Sequence, residues 1–163
     1  MGETATITID RMLREDLDQV HAIEEASFTM PWSRNLFLSE FRNPKVSLML
    51  VARSPASVRE IVGYIVCWRV VDELHILDLA TLRSRRRKGI ARQLVLAALR
   101  EGFNNGVRRA FLEVRASNSA AFALYENLGF IRTQVREAYY DKPIEDAVVM
   151  SLEQEGLNDL FKG

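Results

Sequence analysis

One cysteine in 163 residues, Cys67, leaves nothing for an internal disulfide and points to a reducing compartment. It falls in the apolar run Ile61 to Val71, where a packed strand thiol is expected rather than a reactive one. No apolar stretch reaches the roughly 18 residues of a membrane span, and the start lacks the basic-then-apolar order of a secretory leader. The expected location is cytoplasmic, with no membrane partner. Excess charge of either sign is also missing: 22 Lys plus Arg face 22 Asp plus Glu, so there is no overall positive field to draw in nucleic acid. Eight glycines and four prolines are too few for a collagen-like or linker chain, and 48% hydrophobic with 27% charged residues is a globular composition. Gly2 and Thr6 fit the spacing of a myristoylation pattern, but one acyl chain anchors only weakly. The length suits a single domain over 1–163, with flexible ends expected at 1–4 and 154–163.

Periodicity organises what is present. Ala5 to Met12 alternates as a strand, and Arg14 to Ala26 places Leu17, Val20, Ile23 and Ala26 on one helical stripe. Ser33 reads as the N-cap of a second helix ending near Phe41, before Asn43-Pro44. The runs Val46 to Ala52 and Ile61 to Val71 form a hairpin signal. Then come a strand (Leu74 to Thr81), a basic loop, a helix (Gly89 to about Asn104), a strand (Arg109 to Val114) and a helix (Asn118 to Asn127). Two strands close the pattern, Phe130 to Ala138 and Ala147 to Leu152, and Gly106 and Gly129 stop the helices before them. Strands interleaved with helices imply βαβ crossovers, hence an α/β fold with a mixed, partly parallel sheet.

Known nucleotide loops are absent too. Thr81-Leu82-Arg83-Ser84-Arg85-Arg86-Arg87-Lys88-Gly89-Ile90-Ala91 is neither a Walker A loop nor Gly-x-Gly-x-x-Gly. It does join a strand to a helix start, where unpaired amides and the positive end of the helix dipole suit a phosphate, and Gly89 and Ala91 permit close approach. On physics alone, a solvated charge run or an RNA-touching patch explains the arginines equally well.

Arg86-Arg87-Lys88-Gly89-Ile90-Ala91 resembles the Gln/Arg-x-x-Gly-x-Gly/Ala signature of the GNAT acetyltransferases, although the family commonly has proline in the turn where this chain has Arg83. The likeness sharpens at Glu113-Val114-Arg115-Ala116-Ser117-Asn118 and Ala123-Leu124-Tyr125-Glu126-Asn127-Leu128-Gly129-Phe130, which with Tyr139-Tyr140 and Glu145-Asp146-Ala147 are similar to the bacterial ribosomal-protein-alanine N-acetyltransferases. The resemblance implies a GNAT-type sheet of six to seven strands flanked by about four helices, and acetyl-CoA as acetyl donor without a metal. It implies that backbone at Arg87, Lys88, Gly89, Ile90, Ala91 and Arg92 clasps the CoA pyrophosphate, that Leu79, Ala80 and Thr81 pair with the pantetheine arm, and that Asn118 contacts CoA. The catalytic pair it implies is Glu113 and Tyr125, and the implied substrate is the N-terminal alanine of the eighteenth small-subunit ribosomal protein, met as a peptide N-terminus without direct nucleic-acid contact.

The chemistry asks for these types. An amine attacking a thioester must first lose a proton, and the departing thiolate should meet a donor. An N-terminal amine, with an ordinary pKa of about 7.7 to 8.0, is already neutral to the extent of roughly a tenth at pH 7, so a carboxylate acting directly or through water is base enough. A lysine amine, near about 10.4, needs far more help. Each residue also has an ordinary explanation: Glu113 as a surface partner of Arg115 or Arg109, Tyr125 as a core aromatic, Asn118 as an N-cap. His75 can serve as a substitute base or as a packed histidine, and His21 is assigned no role. Trp32, in the loop Phe28 to Trp32, and Tyr139 and Tyr140, in a loop running to Asp146, can wall a peptide slot, with Glu25, Asp141 or Glu145 drawing in a positive terminus; covering the sheet edge is the alternative. No His, Cys or carboxylate pair has metal-ligand spacing. Acetylation of lysine or a small amine, and a non-enzymatic RNA- or ribosome-binding module, are the competing functions.

Overall fold

The computed structural model describes residues 6–162. Gly2, the expected end at 1–4 and the opening Ala5 of the first expected strand lie outside them. The strands are β1 (Thr8–Arg11), β2 (Ser47–Arg53), β3 (Ile61–Val70), β4 (Glu73–Thr81), β5 (Arg109–Arg115), β6 (Ile131–Tyr140) and β7 (Glu145–Leu152). The helices are α1 (Leu17–Ser27), α2 (Arg34–Phe41), α3 (Ile90–Asn104), α4 (Ser119–Asn127) and α5 (Gln154–Phe161), with 3-10 turns at Arg14–Asp16 and Arg83–Arg85. The strands form one sheet in the order β1-β2-β3-β4-β5-β7-β6, and β4 pairs parallel with β5 over Glu73 to His75 and Arg109 to Phe111. The described residues thus hold five helices where about four were expected.

The additional helix is α5, in the stretch expected as a flexible end. Its Leu157 is fully buried, and Gly156 lies so close to β7 that an added Cβ would collide with Leu152 Cδ1. A mid-helix glycine argues against helix in isolation, yet here it permits the close packing that stabilises one.

The chain divides into two compact units, Met1–Trp68 with Asp78–Ala98, and Arg69–Leu77 with Leu99–Gly163. In the first, β2 and β3 are buried on both faces over Leu48 to Arg53 and Ile61 to Cys67, which is why they read as unbroken apolar runs. Cys67 is among the buried residues, in the packed-strand position expected of it. α1 buries Leu17, Val20 and Ile23 as its spacing requires; its last core position is taken by Glu24, while Ala26 is exposed. Arg53 is buried against Asp16, to which Nη1 and Nη2 both donate at 2.9 Å, and its Nε reaches Asp10 at 2.9 Å. Gly63 on β3 sets the seat of α3: its missing side chain lets the start of that helix close in, with Ile90 Cγ2 3.1 Å and Leu94 Cδ1 3.2 Å from the place a Cβ would occupy.

In the second unit, Ala110, Leu112 and Val114 turn inward from β5, leaving Phe111, Glu113 and Arg115 on its other face. β7 pairs antiparallel with β5, from Ala110 opposite Leu152 to Arg115 opposite Ala147. β6 is the edge strand and exposed almost throughout, with register shifts between Arg132 and Gln134 and between Arg136 and Tyr140. It runs past Ala138, the end expected from its sequence.

Candidate active site

At the head of α3 the backbone leaves the ordinary regions twice. Arg87 has φ +65 and Gly89 φ +77, a left-handed geometry that costs a non-glycine residue about 1–2 kcal/mol. Gln93 N donates to Gly89 O at 3.0 Å, which makes Gly89 the N-cap and leaves the amides of Ile90 and Ala91 ahead of the helical ladder. A Cβ built on Gly89 meets nothing within 4 Å, so the space beside Gly89 is open, and a helix N-terminus of this kind suits an anion. Arg83, Arg85 and Arg86 instead support the loop: Arg83 donates to Ala26 O at 3.5 Å, Arg85 pairs with Glu60 at 3.2 Å and Arg86 donates to Ser27 Oγ at 3.3 Å. Three of the five basic side chains of the run are therefore tied to neighbouring groups, Arg85 half-buried and Arg83 and Arg86 at the surface, and Arg87 and Lys88 are exposed as well. Upstream on β4, Ala80 is buried, Leu79 and Thr81 are half-buried, and Ala80 O lies 3.1 Å from the Cβ position of Gly63.

In the second unit the face of β5 that carries Glu113 meets the bulged end of β6. Ala138 takes φ +49 and donates its amide to Asp146 Oδ1 at 2.9 Å; two consecutive aromatics follow, with the Tyr139 and Tyr140 rings 5.2 Å apart and near perpendicular. Tyr139 and Tyr140 thus end a strand instead of sitting in a loop. Glu113 Oε1 lies 3.9 Å from Arg136, so its cationic neighbour is neither Arg115 nor Arg109. Arg109 pairs with Glu153 at 3.0 Å, and Arg115 donates to the carbonyls of Asp141 and Pro143, both at 3.1 Å, and lies over the Tyr140 ring at 4.3 Å. The negative charge of Glu113, a little burial and a hydrogen-bonding contact with the same carboxylate raise the Tyr139 phenol above its usual range; burial first, then Glu113, pushes Tyr140 up to about 12. Both phenols stay protonated at neutral pH beside Glu113.

Glu145 is held by the Ser117 amide at 2.9 Å and by Arg115 at 3.5 Å, and the Ser117 contacts depress its pKa. It is engaged in the turn rather than left open for a substrate terminus. Asn118 caps α4, its Oδ1 accepting from Ala121 N at 3.0 Å, as a residue of that type should in that place. Tyr125 is 6% exposed, with its ring 5.4 Å from Phe130 in an edge contact. His75 is half-buried: its Nε2 lies 3.0 Å from Glu73 and its ring stacks on Phe111. Trp32 is pinned in the first unit, its amide donating to Glu24 Oε2 at 2.9 Å, its carbonyl 3.1 Å from His21 Nε2, and its ring 5.1 Å from Phe37.

Two residues without a role in the sequence pattern, Glu24 and Asp78, are both buried in this unit, and burial first, then the contact with Glu24, raises the Asp78 carboxyl to about 10. Both were signalled: Glu24 follows Val20 by one helical turn, and Asp78 shares strand parity with Leu74, Ile76 and Ala80. Over the range between the usual carboxylate pKa and 10, the folded chain holds a proton that the unfolded chain releases, so this group's contribution to stability is full in acid and is lost as pH climbs. Asp78→Asn removes that titration. Its melting temperature relative to the parent should therefore rise from about pH 6 to pH 9, by up to about 1.4 kcal/mol of stability per pH unit. Melting curves that shift in parallel across this range would contradict the assignment.

Residues 17–130 match the model of the acetyltransferase (GNAT) family. The chain belongs to that family. It is 32% identical over 147 residues to the ribosomal protein bS18-alanine N-acetyltransferase of Escherichia coli, covering 89% of this chain and 96% of that one. The enzyme of the same name from Salmonella typhimurium is 33% identical over 147 residues, with the same coverage. The crystal structure of the Escherichia coli enzyme superposes with a TM-score of 0.83 at 31% identity, over 91% of this chain and 94% of the other. This chain is therefore an acetyltransferase with the GNAT fold. Among its described residues no group of three or more His, Cys, Asp or Glu side chains is placed to hold a metal, and no helix is long and apolar enough to cross a membrane.

Proposed function

We propose that this GNAT member transfers acetyl from acetyl-CoA to the N-terminal amine of a protein, the alanine of ribosomal protein bS18. The observation that carries the proposal is likeness along nearly the whole chain, at 32% identity, to enzymes named for that reaction. The site chemistry supports it. The open, left-handed Gly89 at the head of α3 fits a pyrophosphate held by main-chain donors, with Arg87, Lys88, Ile90, Ala91 and Arg92 around it. Leu79, Ala80 and Thr81 supply strand backbone for the pantetheine arm. Asn118, whose Oδ1 caps α4, still has its Nδ2 donors to offer to CoA.

Glu113 is the base in this reading. It takes a proton from the ammonium, directly or through a water, and the freed nitrogen attacks the thioester carbonyl; a C–N bond forms, the C–S bond breaks, and Tyr125 donates to the departing sulfur. The protonated Tyr139 and Tyr140 flank Glu113 with ring faces and hydroxyls suited to a terminal ammonium and the first peptide groups; in the first unit, Trp32 is the aromatic that the loop after α1 offers to the peptide.

Incubation with acetyl-CoA and an alanine-starting peptide of the bS18 N-terminus should give monoacetylated peptide. Acetylation of only lysine peptides or polyamines would replace this reading with the small-amine one, and acetylation of none of these with salt-sensitive RNA binding would end it. Glu113→Gln should lower kcat about 100-fold, within the usual range for a general base, with acetyl-CoA affinity unchanged. Part of the loss should return as pH rises and the amine deprotonates unaided. A variant turning over at the parent rate at neutral pH would remove Glu113 from the reaction.

A further inference from the structure

Three polar side chains meet in the core of the first unit. Glu24 on α1 is 1% exposed, Asp78 on β4 8%, and Tyr64 on β3 is fully buried. Both oxygens of Glu24 are taken by donors: Oε1 accepts from the Tyr64 hydroxyl and Oε2 from the Trp32 amide at 2.9 Å. Asp78 lies against the same carboxylate, and its Oδ2 is buried with no hydrogen-bond partner among the described residues. Ionised, Asp78 would set an orphaned acceptor and a second negative charge against Glu24. A proton on Asp78 turns the same contact into a donor meeting an acceptor, which is how two carboxyl groups share a dry site.

We propose that Asp78 is a positioning residue for the acetyl-accepting peptide: as a neutral carboxylic acid it donates to Glu24, which keeps the Glu24 side chain aimed at the Trp32 amide and so holds the loop that carries Trp32. This deepens the function proposed above and rests on it for the peptide, not for the proton. The groups facing the pair are Glu24 from α1, Tyr64 from β3 and the Leu79 amide from β4 itself. Trp32 is also tied to His21 and Phe37 in its own neighbourhood, and the contact with Glu24 links the substrate loop to the strand that leads into Leu79, Ala80 and Thr81. A charge-assisted amide bond of this kind is stronger than a neutral one, and it weakens if Asp78 stops supplying its proton.

The test compares the parent with Asp78→Asn, whose amide still donates, and Asp78→Leu, which has similar bulk and no donor. At neutral pH the infrared difference spectrum between the parent and Asp78→Asn should contain the carbonyl band of a protonated carboxylic acid; a difference made only of carboxylate bands overturns the proposal. The Trp32 amide proton resonance should move upfield in Asp78→Leu and stay in place in Asp78→Asn. The KM for the alanine-starting peptide should rise about tenfold in Asp78→Leu, recover to within about twofold in Asp78→Asn, and leave acetyl-CoA affinity unchanged in both. An Asp78→Leu protein with parental peptide KM and an unmoved Trp32 resonance overturns it as well. If Asp78→Leu fails to fold, an alkaline titration of the Trp32 resonance decides: it should shift in the parent and not in Asp78→Asn, and equal shifts count against the proposal. A parent protein that acetylates no peptide defeats the function above, while the infrared band and the Trp32 resonance still report on Asp78.

Discussion

Tyr125→Phe should lower kcat by ten- to a thousandfold, about what a single acid or charge-stabilising donor contributes, while the variant folds as the parent does. The ring is the part that packs: Tyr125 is buried on α4 edge-on to Phe130, and phenylalanine keeps that contact. What is lost is one hydroxyl. A phenol near pKa 10 gives its proton to a thiolate near 8.5 only uphill, by about 1.5 units or about 2 kcal/mol, so Tyr125 acts as much by hydrogen-bonding the developing charge as by releasing the proton. The deficit should therefore shrink for an acyl donor whose leaving thiol is more acidic. Rates measured at saturating peptide and acetyl-CoA, with near-ultraviolet circular dichroism as the fold check, would settle it. Parental kcat in a folded variant removes Tyr125 from the mechanism.

Gly89→Val should weaken acetyl-CoA binding tenfold or more and leave kcat at saturating cofactor comparatively intact. The cause is backbone conformation rather than a clash. At φ +77 a β-branched side chain is strained by at least the 1–2 kcal/mol that left-handed geometry costs, although nothing stands within 4 Å to collide with it. The chain relieves that strain by rotating the N-cap, which re-aims the amides of Ile90 and Ala91, and about 1.4 kcal/mol of lost contact already amounts to tenfold in Kd. The new side chain also fills the open space over the loop. Gly89→Ala should fall between valine and the parent. Calorimetric titration with acetyl-CoA reads the effect directly, and intact affinity in the valine variant would move the pyrophosphate elsewhere.

The order of elements is legible because hydrophobic period survives in a single sequence. Ile61 to Cys67 reads as a buried strand since both faces of β3 are covered there, and Ser33 and Asn118 mark their helices because an oxygen at the N-cap is a local requirement. α5 escapes such a reading because a short polar helix interrupted by Gly156 has no local signature; only the seat of Leu157 and the close approach to Leu152 stabilise it. Tyr139 and Tyr140 look like loop residues in the sequence because a bulge at Ala138 is a backbone event that no side-chain pattern announces. Glu113 is legible as a chemical type at a strand end, but not its partners: Arg136 is 23 residues away in sequence and meets it across the β5, β7 and β6 rows.

By itself the sequence determined the class of fold, a basic loop at the junction of a strand and the helix α3, and the presence of a carboxylate and a phenol of the types that amine acetylation asks for, since spacing, capping and ordinary pKa values are local properties. Tertiary structure alone decided which arginines brace that loop, which tyrosines flank Glu113, and that Asp78 keeps its proton beside Glu24. Those outcomes depend on desolvation and on neighbours brought together from distant parts of the chain, and neither exists until the sheet has formed.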